Sequence, residues 1–200
     1  MATDIFADAE FHSVTTERWD DLARFFAANG NPNYCWCMSW RLPAADFRRL
    51  RSAGRRDALA DLVGMGTPVG ILGYVGGEPI GWCSVAPRAT YSRLERARSL
   101  PGATDEGAWT VLCFFVDRKL QGQRFSSGLL GAAVKYARGQ GATVIEGYPV
   151  APHTDEHGQP TPAHAYRYMG AVSTFLAAGF VDLGPISTGR RHMRLTTRTQ

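Results

Sequence analysis

Lysine is nearly missing from this chain. Of its 22 basic residues only Lys119 and Lys135 are lysine, and the other twenty are arginine. Alongside abundant alanine and glycine, that bias reads as coding composition as much as function. The net charge of +4 gives only a weak reason to look for an anionic partner. Long apolar runs are missing too. The longest uncharged stretches reach 16 residues, and one of them, residues 62–77, carries six glycines, which excludes a transmembrane helix. The first ten residues hold Asp4, Asp8 and Glu10 and no apolar signal segment, so the expected location is the cytoplasm, with no membrane partner. Cysteine is scarce, at positions 35, 37, 83 and 113 only. Cys35-Trp36-Cys37 separates its thiols by one residue, not by the two of a zinc knuckle or redox motif. Disulfides are not expected in a cytoplasmic chain, and Cys83 and Cys113 sit in apolar runs and read as small buried hydrophobes. No metal is expected. What is present, 44% hydrophobic and 20% charged residues in a chain of 200, supplies a core and excludes wholesale disorder. One domain over residues 11–196, after an extension of residues 1–10, is the expected organisation.

Apolar periodicity predicts the elements. Residues 11–14 alternate as a first strand. A helix capped by Thr15 or Thr16 follows, with Trp19, Leu22, Phe25 and Phe26 on one face. Asn29-Gly30-Asn31-Pro32-Asn33 ends it and opens an aromatic, sulfur-rich loop over residues 34–41. A second helix spans residues 44–63. Strands follow at 68–75 and 79–85, joined by Gly76-Gly77, and a buried central strand at 108–116. A short polar helix or loop occupies 91–100. Residues 126–138 form a helix, 142–148 a strand, 168–178 a helix, and 179–186 with 191–195 a final antiparallel pair. The order is β-α-α-β-β-β-α-β-α-β-β, an α/β chain with a mixed sheet. The strands at 108–116 and 142–148 flank a crossover helix and must be parallel.

The most informative segment runs from Phe115 through Asp117, Arg118 and Lys119 to Ser126 and Ser127. A buried strand turns through a basic loop into a helix. A helix start presents unpaired N–H groups and the positive end of its dipole, which suits a phosphate. An ordinary strand–helix connection capped by serine is the other reading. Here the chain resembles the GNAT N-acetyltransferase superfamily, whose acyl-CoA loop follows Gln/Arg-x-x-Gly-x-Gly/Ala. The corresponding residues are Gln121, Gly122, Gln123, Arg124, Phe125 and Ser126. Gln121 matches, Gly122 fits the common Arg-Gly opening, and Arg124 stands where the family has a small residue and supplies a charged hydrogen bond instead. Residues 171–180, ending Gly179-Phe180, resemble the family's helix before the sixth strand. Gly77-Glu78-Pro79-Ile80-Gly81-Trp82 resembles its second-to-third-strand hairpin.

The resemblance implies a V-shaped opening between the two central parallel strands. The pantetheine arm of acetyl-CoA, or another acyl-CoA, would lie there against the backbone of Phe114, Phe115 and Val116. The diphosphate would meet residues 121–127, Ser127 included. A small-molecule amine would attack the thioester directly in a ternary complex. An acyl-CoA-binding regulatory module of the same fold is the alternative. Family members often carry a tyrosine where this chain has Phe175, so Tyr168, two turns earlier, becomes the candidate acid. Glu146 is the only acid in an otherwise apolar strand beside the cleft, and it is the candidate base, with burial expected to raise its carboxyl. Pairing with an arginine is the competing role. Cys113 has no histidine partner for a covalent route. His153, His157 and His164 lie among prolines that prevent a metal-binding helix. Their loop is a lid or a solvated connection, and residues 34–40 line the acceptor pocket or pack the helices. Arg48, Arg49, Arg51, Arg55 and Arg56 read as a solvated helix face rather than a nucleic-acid surface. A homodimer is compatible with all of this.

Overall fold

The computed structural model describes residues 8–97, 99–103, 106–117, 125–151, 167–187 and 189–197. In chain order the elements are β1 (Glu10–Ser13), α1 (Trp19–Ala28), α2 (Gly30–Cys35), α3 (Ala44–Arg49), α4 (Arg51–Gly64), β2 (Ile71–Val75) and β3 (Glu78–Pro87). They continue with α5 (Ser92–Glu95), β4 (Ala108–Val116), α6 (Phe125–Gly139), β5 (Val144–Gly147), α7 (Val172–Ala177), β6 (Val181–Ser187) and β7 (Arg190–Thr196). The seven strands form one sheet in the order β1-β2-β3-β4-β5-β7-β6. β4 and β5 pair in parallel and every other neighbouring pair is antiparallel. This is the mixed sheet that the element order predicts.

Each face of the sheet is covered for a reason visible in the side chains. α6 buries Phe125, Leu129, Leu130, Ala133, Val134 and Ala137, a stripe at helical spacing. It packs on Ile71, Cys83, Val85, Trp109 and Val111 of the sheet. On the opposite face α1 contributes Leu22, Phe25 and Phe26, and α4 contributes Leu59 and Val63. Each fully buried side chain of this size stabilises the fold by about 1.5–3 kcal/mol.

Three local departures from the sequence expectations matter for the site. The helix expected over 44–63 is broken at Leu50, where Arg51 takes a φ of 32°. The side chain of Arg55 donates its Nε–H to the Phe47 carbonyl at 2.8 Å, occupying the acceptor that a continuous helix would use. The helix expected over 168–178 is also interrupted. Gly170 (φ 84°) and the extended Ala171 separate a 3₁₀ turn, Arg167–Met169, from α7. The 170–172 segment spends its backbone groups on Val150, through Val150 N–H to Gly170 O at 2.9 Å and Val172 N–H to Val150 O at 3.2 Å. Finally, residues 30–35 form the short helix α2 where a loop was expected.

The central pair is short. β4 pairs with β5 only from Ala108 opposite Val144 to Val111 opposite Gly147, although β4 runs on to Val116. Phe175, fully buried, fills the widening gap. Its ring stands edge-on to Phe114 at 6.0 Å and to Phe180 at 4.9 Å. A Cβ on Gly147 would overlap that ring, so the last residue of β5 has to be glycine. Gly147→Ala is therefore expected to cost about 1–3 kcal/mol by overpacking. Chemical denaturation reads this as a lower midpoint at unchanged slope, and an unshifted midpoint contradicts the wedge.

Candidate active site

Two cavities open on β4. The first, of about 410 Å³, follows the splayed half of the strand and is lined by Phe114, Phe115, Val116, Ser126, Val150, Tyr168, Gly170, Ala171 and Thr174. The second, of about 330 Å³, lies between β3, β4 and residues 32–40. Phe115 and Tyr168 line both, their rings stacked at 6.3 Å. The two spaces therefore meet at these side chains.

A bulge shapes the second cavity. Ser84 faces Cys113 and Val85 faces Val111, which leaves Leu112 without a partner. The extra residue turns Leu112, Cys113 and Phe115 toward the same space. The opposite wall is the aromatic and sulfur-rich segment, and it performs both roles weighed from sequence. Tyr34, Cys35, Cys37, Ser39 and Trp40 line the cavity. Trp36 and Met38 are buried in the core between α1, α4 and the sheet. The division depends on two non-glycine residues in left-handed conformation, Trp36 (φ 46°) and Cys37 (φ 51°).

Two arginines hold this wall, and sequence reasoning missed both. Arg55, expected on the solvated face, is 3% exposed. It donates to the Tyr34 carbonyl at 2.8 Å and lies over the rings of Phe47 (3.7 Å) and Tyr34 (4.6 Å). Arg41 is buried as well, bonding Thr90 Oγ1 at 3.0 Å and Val69 O at 3.1 Å while covering the Tyr91 ring at 4.2 Å. The aromatic rings beside each arginine were the available signal, since guanidinium groups stack on such faces. Arg48, Arg49, Arg51 and Arg56 remain exposed.

The walls are electrically neutral over most of their area. Cys37 accepts a hydrogen bond from Trp82 Nε1–H at 2.9 Å. The adjacent Cys113 thiol, together with burial, holds Cys37 well above the ordinary thiol pKa. The bond to Cys37 and burial raise Cys35 likewise, and burial raises Cys83. These three thiols are protonated at neutral pH, and Tyr91, pushed up by burial to about 12, is neutral too. Among the described residues no group of three or more His, Cys, Asp or Glu side chains could hold a metal ion.

The residues singled out from sequence are distributed as follows. Phe114, Phe115, Val116 and Ser126 line the 410 Å³ groove together with Tyr168. Phe125 points away from it, its ring 5.4 Å from Phe11 and packed where Gly73 and Gly81 leave room. Ser127 is exposed in the first turn of α6. Gln121, Gly122, Gln123 and Arg124 lie outside the described residues, as do His153, His157 and His164.

Glu146 lines neither cavity. Its fully buried carboxylate sits within the β4–β5 pair, one residue before Gly147, opposite Thr110 and Arg194. Oε1 accepts from Arg194 Nη2 at 2.9 Å and meets His192 Nε2 at 2.9 Å. Oε2 accepts from the Ala103 N–H at 2.9 Å and pairs with Arg88 Nη1 at 3.5 Å. Arg88 continues the network to Tyr148 Oη at 2.6 Å and Glu95 at 2.9 Å. Burial pushes the Glu146 carboxyl up, but the bonds from His192, Ala103 and Arg194 outweigh it, and its pKa lies below the ordinary value. The raised pKa expected from sequence is thus corrected, and the arginine pairing is present.

Removing one partner from a buried charge network leaves the others uncompensated, which costs about 3–5 kcal/mol. Glu146→Gln is expected to lose stability on that scale at neutral pH. Because the folded pKa is lowered, the contribution of Glu146 is present above the unfolded value of about 4.3 and disappears as pH falls through the folded value. Urea titrations between pH 7 and pH 3 should show that fall in the wild type and not in the variant. Parallel pH profiles would contradict the network.

Comparison with known proteins fits this architecture. A search of curated proteins finds no significant match. Among solved structures, an aminoglycoside acetyltransferase in complex with coenzyme A superposes with a TM-score of 0.56 at 16% identity, covering 94% of this chain and 95% of its own. The ribosomal-protein-S5-alanine acetyltransferase of Vibrio fischeri gives 0.55 at 13% identity, with 96% and 94% covered. The PaiA N-acetyltransferase of Thermoplasma acidophilum, in complex with coenzyme A, gives 0.53 at 10% identity, with 95% and 99% covered. At these identities the likeness is one of fold. The family model of GNAT acetyltransferases matches residues 36–170, about two thirds of the sequence, and the chain belongs to that family.

Proposed function

We propose that this protein is an acetyl-CoA-dependent N-acetyltransferase that acylates a small-molecule amine by direct attack in a ternary complex. The observation that carries the reading is the meeting of the two cavities at Phe115 and Tyr168. One is a groove along a strand edge, suited to an extended chain. The other is a pocket suited to a compact acceptor.

The residues present suit a pantetheine arm. After Val111 the β5 register ends, so the edge of β4 at residues 112–115 suits an extended ligand that pairs as a strand would. Gly170, Ala171 and Ser126 keep the opposite side of the groove low. Ser126 lies in the first turn of the 15-residue helix α6, whose N-terminal N–H groups favour a diphosphate. By the family resemblance, Gln121, Gly122, Gln123 and Arg124 would complete that contact.

The chemistry requires the amine to arrive or become unprotonated and the leaving thiolate to gain a proton. Tyr168, at the junction, is assigned the second task, with its phenolic proton as the donated one. Phe175, fully buried between Phe114 and Phe180, has no proton to give. Glu146 is assigned a positioning role, because its oxygens are occupied and it lines neither cavity.

Acetyl-CoA and CoA should both bind in a calorimetric titration, with dissociation constants in the micromolar range, about 1 μM to 1 mM. Tyr168→Phe should keep that affinity and lower kcat by about 10²-fold or more. An unchanged kcat removes Tyr168 as the acid. Tight CoA binding with no transfer to a broad amine panel would favour the regulatory-module reading, which the phenylalanine at 175 motivates. No CoA binding would refute both.

A further inference from the structure

The wall chemistry of the 330 Å³ pocket restricts its occupant. Six aromatic rings face it, those of Tyr34, Trp40, Trp82, Tyr91, Phe115 and Tyr168. Its thiols at Cys35 and Cys37 are held protonated, and Tyr91 is neutral. Among the described residues that line it there is no carboxylate and no histidine. Among the described lining residues the one formal charge is Arg93, an exposed residue at the rim. Its guanidinium lies 5.5 Å from the Trp40 ring centroid and donates one hydrogen bond, to Ser39 O at 3.2 Å. A guanidinium has five N–H donors in a fork that matches a carboxylate.

Three consequences follow from these features. A polycation entering the pocket would lose hydration without finding a carboxylate among the described lining residues, and it would meet Arg93 at the entrance. A flat ring would bury its faces against aromatic walls in offset or edge-on contact. With no carboxylate or histidine among the lining residues to take a proton, an amine that is already neutral near pH 7 suits the site best. The volume lies at the small end of ligand pockets, about 300–1,000 Å³, which fits a single ring system with its substituents.

We propose that the acceptor is a ring-bearing monoamine that carries a carboxylate, its ring held among the six aromatic side chains and its carboxylate paired with Arg93 at the rim. This rests on the acetyltransferase reading and narrows its substrate class. Aromatic amines and aromatic α-amino acids share that chemistry, and the weakly basic aromatic amines satisfy all three consequences.

The test compares 4-aminobenzoate and L-tryptophan with their carboxamides, with spermidine and with an aminoglycoside. Equilibrium binding is measured by calorimetry in the presence of saturating CoA, and acetyl transfer is measured separately. At least one of the two carboxylates is expected to bind and to be acetylated with kcat/KM at least about tenfold above both polycations and above its own carboxamide, as loss of one charged hydrogen bond implies. If 4-aminobenzoate leads, the aromatic-amine source is favoured, and if L-tryptophan leads, the amino-acid source. Arg93→Met should erase the preference for carboxylate over carboxamide while leaving CoA affinity unchanged. Preferred binding or acetylation of spermidine or the aminoglycoside would overturn the proposal and leave acetyl transfer standing. Equal use of carboxylate and carboxamide by the wild type, or no binding of either carboxylate, would overturn it as well. Binding of the carboxylates without transfer would uphold the pocket assignment and refute the enzymatic reading instead.

Discussion

The site depends on a parallel strand pair that stops early. The parallel pairing of β4 with β5 lasts for four residues, while β4 runs on to Val116 beside β3. An unpaired strand edge inside a protein is unfavourable unless something supplies its bonds. Different physics acts on two successive residues of β5, Glu146 and Gly147. Within the paired stretch, the Glu146 carboxylate gathers Arg194, His192, Arg88 and the Ala103 N–H from β7, the turn after β3 and the chain before β4. At the open end, the Phe175 ring stands between Gly147 and Phe114, and α7 is positioned by the Val150 backbone. A charge network ties down the paired stretch of β5, and an aromatic wedge keeps its last residue apart from the rest of β4.

The second cavity follows from the same strand. The bulge at Leu112 turns two successive side chains to one face. Residues 34–40 then need to be held across from it, although they contain little regular structure. Arg55 and Arg41 do this from the core side, through carbonyl bonds and ring contacts, each worth more in a buried setting than at the surface. The left-handed residues Trp36 and Cys37 send one side chain inward to the core and the next toward the pocket. Packing and pocket therefore draw on the same few residues.

Much of the fold was legible in the amino-acid pattern. The buried run at 108–116, the stripe of α6 and the Gly76-Gly77 hairpin each state their own structure through local periodicity. The parallel relation of β4 to β5 followed from chain connectivity. The breaks at Leu50 and Gly170 were not legible, because each depends on a partner outside the local backbone pattern: the Arg55 side chain for Phe47 O, and Val150 for the 170–172 backbone. The burial of Arg55 was hidden for a related reason. Charge patterning treats an arginine among arginines as solvated, whereas Arg55 is removed from water by ring faces and carbonyls that only the fold brings together. Glu146 was correctly marked as an unusual acid in an apolar strand. Burial alone predicts a raised pKa, and the sign was reversed by three donors from two segments, β7 and the chain before β4, that no local pattern connects to it.

Hydrogen exchange across β4, with and without saturating CoA, tests the central account most directly. Residues 108–111 are paired with β5, and 109–111 with β3 as well, whereas residues 112–116 lie beyond the last β5 partner. The account predicts that CoA slows exchange in 112–116 and leaves 108–111 unchanged. Slowing spread evenly along the strand, or confined to 108–111, would contradict the claim that the splayed edge of β4 is where the cosubstrate binds.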